Sequence, residues 1–287
     1  MPNGIIIIDK PADWTSMDVC ARLRGILHEK RVGHAGTLDP MATGVLPVFI
    51  GQATKAVPFA EGGTKEYEAI LQLGIVTDTQ DTTGTILEKR AVTVTADDVR
   101  AVLPRFTGRI EQIPPMYSAI KINGQKLCDL ARRGKEVARR PRAVTIHALS
   151  VTQELGGGRY ALRAVCSKGT YIRTLCHDLG EALGCGGCMA ALRRTAAAGF
   201  TLEEAVTLEE VQRAGEALLR PTDSLFRAHP AFTIPTNEQE RRCLCGNPLR
   251  ADLPDGLYRV YAQDGTFLAL SEAKDGTLTS LRNFFSV

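Results

Sequence analysis

The sequence has no apolar run long enough to span a bilayer or to form the core of a signal peptide. The stretch Gly4 to Ile8 is followed at once by Asp9 and Lys10. Export is therefore not expected, and a cytoplasmic location is. No internal repeat and no low-complexity tract is present, which argues against a fibrous or disordered chain. Neither charge sign is in large excess. Lys and Arg number 35 against 32 Asp and Glu, for a net charge of +3, which by itself names no partner. No GxxxxGK run precedes a Ser or Thr, so a nucleotide triphosphatase is excluded.

Eight cysteines are present, yet a chain of 287 residues can stabilise itself by burial, so they need not form a disulfide framework, and reduced thiols are expected. Cys185 with Cys188 and Cys243 with Cys245 invite a zinc reading. The second pair has only one intervening residue and falls in a different expected domain, so no metal is expected and the thiols are read as structural.

Hydrophobic residues make up 44% and charged residues 23%, the balance of a soluble folded protein, and the length allows one large domain plus a small one. Ile5 to Ile8 reads as a strand. Thr15 followed by Asp18 forms a capping-box pattern ahead of Val19, Leu23, Ile26 and Leu27, which predicts a helix from Ser16 to His28. Arg31 to Thr43 reads as a structured loop and Val45 to Ile50 as a buried strand. Tyr67 to Leu73 alternates as a strand, and with Thr85 to Arg90 it is expected to form an antiparallel hairpin. Thr95 and Asp98 cap a helix ending near Pro104. A loop with a short helix follows over Ile113 to Gly134. Val144 to Gln153 and Arg159 to Ser167 form a hairpin through Gly156, Gly157 and Gly158, and Tyr171 to Leu183 is helical, ending at Gly184. Beyond a boundary near Ala228, short segments separated by Asp264-Gly265 and Asp275-Gly276 predict a small β-rich unit.

Three stretches could carry chemistry. In GHAGTLDP, Gly33 and Gly36 allow backbone conformations closed to other residues and Pro40 stiffens the segment after Asp39. Asp39 is thus either a rigidly held reactive carboxylate or a turn-capping residue. In CSKGTYIRTLCHDLG a strand passes through a glycine turn into a helix. Tyr171 and Arg173 stand at its mouth, where Arg173 either pairs with a distant carboxylate or is a surface residue. Finally, Arg132, Arg133, Lys135, Arg139, Arg140 and Arg142 crowd one segment, either a phosphate-binding patch or a solvated face.

The runs DKPADWTSMDV, RVGHAGTLDPMATGVLPVFIGQATK, KEYEAILQLGIVTDTQDTTG, QIPPMYSAIKINGQKL, CSKGTYIRTLCHDLG and LRRTAAAGF occur in the order seen in bacterial TruB enzymes. The chain thus resembles the TruB family of tRNA pseudouridine synthases over most of Ile5 to Phe200. The resemblance implies an α+β fold: a mixed, largely antiparallel sheet flanked by helices, with a small β-rich, PUA-like C-terminal domain. It implies a catalytic domain over 1–228, containing a mobile RNA-binding insertion at 109–142, and an RNA-binding domain over 229–287. The implied reaction is isomerisation of uridine 55 in the T-loop of tRNA, with the T-arm as partner and no cofactor, membrane or obligate protein partner.

By the same resemblance Asp39 is the catalytic nucleophile, Tyr67 stacks on the target base, and Arg173 pairs with the aspartate. His34 inserts among the RNA bases, although a histidine in a glycine-rich loop also suits a structural hydrogen bond. Lys10, Lys55, Tyr171, Leu192 and Lys121 join Arg132, Arg133, Arg139, Arg140 and Arg142 as implied RNA contacts. Cys128 departs from the tyrosine common in relatives, and Gly187-Cys188 from Ala followed by His or Tyr, which touches only local packing and RNA detail. The rival from another class is a catalytically silent tRNA-binding or tRNA-folding protein. A hydrolase using Asp39 lacks the accompanying metal-ligand or general-base pattern.

Overall fold

The apolar run near the start forms the strand Gly4–Lys10, whose four isoleucines are each at most 1% exposed. Burial on both faces explains why the run does not alternate. Its edge is tied by paired backbone bonds between Ile5 and Arg220, and Val206 is hydrogen-bonded between Ile7 and Asp9. The helix Ser16–Leu27 follows, with the Thr15–Asp18 capping box formed in both directions and His28 ending it in the left-handed region at φ 52°.

The computed structural model describes residues 1–122 and 124–285, which cluster into two units. Asn123, within one of the recognisable runs, and Ser286 and Val287, at the end of the expected C-terminal domain, lie outside the described residues. The first unit holds Met1–Pro40, Val45–Glu61 and Ala198–Val287; the second holds Met41–Gly44 and Gly62–Ala197.

In the first unit the segment expected to be wholly loop contains a short strand, Val32–His34, paired antiparallel with Thr43–Ile50 through Val32–Ile50, Gly33–Phe49 and His34–Val48. Three residues are too few for a periodic signal, so only the partner strand makes this one visible. Toward the C-terminus a five-stranded sheet forms in the order Ala231–Thr233, Gly256–Tyr261, Phe267–Lys274, Thr277–Asn283, Leu249–Arg250. Its core gathers Ile234, Val260, Leu268 and Leu278. The Asp275-Gly276 turn is the expected two-residue hairpin, with both residues at positive φ, and Lys274 faces Thr277 across it.

The second unit is built on a mixed, largely antiparallel sheet in the order Gly187–Ala197, Lys65–Leu73, Arg159–Cys166, Arg142–Gly156, Gly108–Gln112. Its parallel element is the pairing of Thr43 and Gly44 with Arg193 and Arg194. The helix Ile172–Ala182 packs on the strand Gly187–Ala197 at very close range. A Cβ at Gly180 would stand 2.2 Å from the nitrogen of Gly187, so no larger residue fits there without moving backbone.

The hairpin expected between Tyr67–Leu73 and Thr85–Arg90 does not form. Both edges of Lys65–Leu73 are occupied, by Arg159–Cys166 and by Gly187–Ala197, so no ladder remains for a third partner. Instead Gly74, at φ 85°, turns the chain, and Ile75–Thr77 pairs with Ile86–Lys89 as a separate two-stranded sheet. In the insertion, Met116, Leu127 and Leu130 make a small hydrophobic cluster joined by Ile120, Ile122 and Val137. The segment carries its own apolar core around the helix Leu127–Ala131.

Candidate active site

Asp39 follows the strand Val32–His34, in the first unit, and the chain around it is fixed on both sides. Gly36 takes φ 73°, which lets the chain reverse beyond Ala35, whose amide donates to the carbonyl of Pro47 at 3.0 Å. Leu38 is buried, and its amide donates to Ser16 Oγ at 2.9 Å at the start of the first helix. On the other side the Pro40 carbonyl accepts from Lys10 Nζ at 3.1 Å and from the Asp13 amide at 2.9 Å. With both neighbours pinned, the backbone at the half-buried Asp39 is held in place. His34 is also half-buried, at the end of its short strand.

Lys10 corrects an expectation. It was read as a contact to RNA, but it is fully buried, and its ammonium donates to three backbone carbonyls, those of Pro11 (2.8 Å), Trp14 (2.6 Å) and Pro40 (3.1 Å). A buried cation must find such acceptors; the turn after its own strand supplies two, and Pro40, next to Asp39, supplies the third. Lys10 thus positions the Asp39 segment from behind. Lys10→Met keeps the volume and removes the donors, so it is expected to lower stability by about 2 kcal/mol and to lower activity through a looser loop. Urea unfolding with parallel turnover measurements checks this; unchanged stability would show that the three bonds contribute nothing.

The second unit carries Tyr67, Tyr171, Arg173 and Leu192. Tyr67 is 7% exposed on Lys65–Leu73, with Ala164 and Arg194 beside it on the flanking strands. Leu192 stands across from Ala69 and is 8% exposed. Tyr171 precedes the helix Ile172–Ala182, and its backbone is gripped at both ends by Gln112, through bonds of 3.0 and 3.2 Å. Gln112 closes the strand Gly108–Gln112, so the foot of the insertion is tied to the start of this helix.

Arg173, 4% exposed, donates from Nη1 to the Thr79 carbonyl at 3.0 Å and from Nη2 to the Tyr117 carbonyl at 2.7 Å. It also faces the buried carboxylate of Asp81 at 3.6 Å. Asp81 is itself held by Thr79 Oγ1 at 2.8 Å, the Thr83 amide at 3.0 Å and Thr83 Oγ1 at 2.6 Å. Sequence reasoning missed Asp81, treating 77–84 only as a turn. The available signal was its threonines two residues either side, which a buried carboxylate needs as donors.

The family model for the TruB family pseudouridylate synthase N-terminal domain matches residues 24–172, which include Asp39 and Tyr67. This chain belongs to the TruB family. The model for the tRNA pseudouridylate synthase B C-terminal domain matches residues 173–227 and so begins at Arg173. Among curated TruB relatives, the tRNA pseudouridine synthase B of Stutzerimonas stutzeri (strain A1501) is 43% identical, covering 98% of this chain and 95% of that protein. That of Alkaliphilus oremlandii (strain OhILAs) is 46% identical over 91% of this chain and 88% of the relative. A solved Cbf5-Nop10-Gar1 complex contains a chain with TM-score 0.75 and 26% identity, covering 98% of this chain and 85% of that one.

In this TruB chain the basic run of the insertion divides by partner. Arg139 bonds the Pro114 carbonyl at 3.1 Å and Glu136 at 2.9 Å, so its guanidinium braces the insertion. Arg132 pairs with Asp129 at 3.7 Å. Lys121, Arg133, Arg140 and Arg142 are exposed and make no ion pair among the described residues. Lys55 lies in the short turn Gly51–Ala56, beside a recess formed with Ser280–Asn283.

The buried cysteines of this TruB chain are chemically quiet. Burial pushes the thiols of Cys20, Cys166 and Cys188 up to about 11, and those of Cys185 and Cys243 upward as well, so at neutral pH they stay protonated. Among the described residues no group of three or more His, Cys, Asp or Glu is placed to hold a metal ion, and no helix is long and apolar enough to cross a membrane.

Proposed function

We propose that this chain converts uridine 55 in the T-loop of tRNA to pseudouridine, with Asp39 as the nucleophile. The observation that carries the proposal is the Asp39 segment itself: a half-buried carboxylate whose two neighbours are each anchored by hydrogen bonds from other elements. Family membership supplies the reaction class. Product and substrate contain the same atoms: the N1–C1′ bond breaks, the ring turns, a C5–C1′ bond forms, and the C5 proton leaves as N1 gains one. No oxidant, reductant or metal is demanded by that balance. A carboxylate can hold one fragment covalently, at C1′ or on the ring, while the base rotates.

Tyr67 is proposed to stack on the uracil and Arg173 to balance the charge of the carboxylate. A base inside a folded loop must first be extruded, at a cost of about a few kcal/mol of lost stacking; His34 is proposed to fill the gap. The catalytic domain is taken as 1–228 and the PUA-like RNA-binding domain as 229–287. A tRNA substrate agrees with the cytoplasmic location expected from the sequence. The direct test is incubation with an unmodified tRNA transcript and mapping of pseudouridine by chemical derivatisation. Binding without any product would favour a catalytically silent tRNA-binding protein.

The insertion is proposed to contact phosphates through Arg133, Arg140 and Arg142. Replacing the three by Ala is expected to lower the slope of log affinity against log salt by about 2 to 3. Arg139→Ala is expected to disturb the insertion, with a smaller change in slope. Filter binding between low and moderate salt reads both effects; equal slopes for parent and triple variant would remove the segment from the RNA interface.

A further inference from the structure

Two recesses in the first unit involve residues that the proposed chemistry leaves unused. The larger, about 530 Å³, is lined by Asn3, Arg31 and Gln52 together with Phe267, Phe284 and Phe285. Its volume suits a nucleotide-sized ligand. The rings of Phe267 and Phe284 are stacked, with centroids 5.3 Å apart and planes 20° from parallel, and Phe267 and Phe285 are half-exposed. The lining carboxylate, Asp223, is already engaged by the Tyr261 hydroxyl at 2.6 Å and by Arg259 at 3.6 Å. Arg31 is likewise paired, with Glu29 at 3.5 Å, and Asn3 Oδ1 accepts from the Ala53 amide at 3.0 Å, so what the recess offers a ligand is its aromatic wall. Such a wall matches the face of a base.

The smaller recess, about 270 Å³, is lined by Lys55 and Ser280–Asn283 and so contains Arg282. Lys55 and Arg282 make no ion pair among the described residues, whereas Arg31, Arg220, Arg227 and Arg259 of the same unit each face a carboxylate. Two cations sharing a recess without an acidic residue are suited to an anion. Residues lining the two recesses are near neighbours along the chain at two places. Gln52 and Lys55 belong to the one short turn Gly51–Ala56, and Asn283 is followed directly by Phe284.

We propose that this pair of recesses holds an unpaired RNA nucleotide other than the target uridine, its base against Phe267 and Phe285 and an adjoining phosphate between Lys55 and Arg282. None of Asp39, Tyr67 and Arg173 lines either recess, which sets this nucleotide apart from the reacting one. The inference rests on the RNA-substrate reading above. The two kinds of contact leave different signatures. A lost stacking face weakens binding at every salt concentration, while a lost phosphate contact flattens the salt dependence.

The test is filter binding of the full chain to a complete unmodified tRNA transcript across a salt series. Arg282→Ala is expected to lower the salt slope by about 1. Phe285→Ala is expected to raise Kd about tenfold with the slope unchanged. Phe285→Leu, which keeps apolar packing and removes the aromatic face, is expected to do the same and guards against an unfolded Phe285→Ala. Unchanged affinity and slope in both Arg282→Ala and Phe285→Leu overturn the proposal, even if a free nucleotide such as AMP binds the parent and not the variants. Failure of the functional reading looks different: the parent then makes no pseudouridine in the transcript, whatever these variants do.

Discussion

Asp39→Asn is expected to reduce pseudouridine formation by at least about 10⁴-fold while leaving tRNA affinity within about twofold of the parent. The amide has nearly the shape of the carboxylate, and the bonds that hold this segment, from Ser16 to Leu38 and from Lys10 and Asp13 to Pro40, do not involve the substituted group. RNA affinity comes mainly from phosphate and shape contacts, which the substitution leaves alone. Loss of chemistry is therefore expected without loss of binding. Single-turnover assays with excess enzyme, alongside filter binding, separate the two. Measurable turnover close to the parent rate would mean that another group attacks.

The second large effect is expected at Asp81. Asp81→Ala leaves the Arg173 guanidinium buried opposite an apolar methyl, and breaking a buried pair from one side costs about 3 to 5 kcal/mol. Thr79 and Thr83 lose their acceptor in the same step. Asp81→Asn is milder, because its amide oxygen still accepts from both threonines. It removes the charge facing Arg173 at 3.6 Å, and kcat is expected to fall on the order of 100-fold with KM little changed. Thermal unfolding of both variants and steady-state kinetics of Asp81→Asn check the pair. A fully active Asp81→Asn would show that Arg173 does not need the Asp81 charge to hold its place, and that the carbonyls of Thr79 and Tyr117 suffice.

Much of the local structure was legible before any coordinates. The two expected capping boxes, at Thr15–Asp18 and Thr95–Asp98, appear where the sequence has them, because a cap is a contract between residues three apart. The Asp275-Gly276 turn and the hairpin through Gly156 to Gly158 follow from backbone preferences of the same short range. The expected hairpin of Tyr67–Leu73 with Thr85–Arg90 failed for the opposite reason. Adjacency in sequence favoured it, but two distant strands occupy both edges of the first partner. Lys10 shows the same limit at a single side chain: the family resemblance implied an RNA contact, and its burial turned it onto the carbonyl next to Asp39.

The sequence alone determined the family, the helices with their caps, and Asp39 as the residue in a glycine-flanked bend, since each is written in neighbours or in an unbroken run of residue types. Tertiary structure alone decided that Ser16, Lys10 and Asp13 anchor that bend, that Asp81 faces Arg173, that Arg139 braces the insertion, and that Lys55 shares a recess with Arg282. Those contacts join elements made separately along the chain. Their partners are selected by how strands and helices stack and by which polar groups burial leaves needing a bond, and neither is written in local sequence.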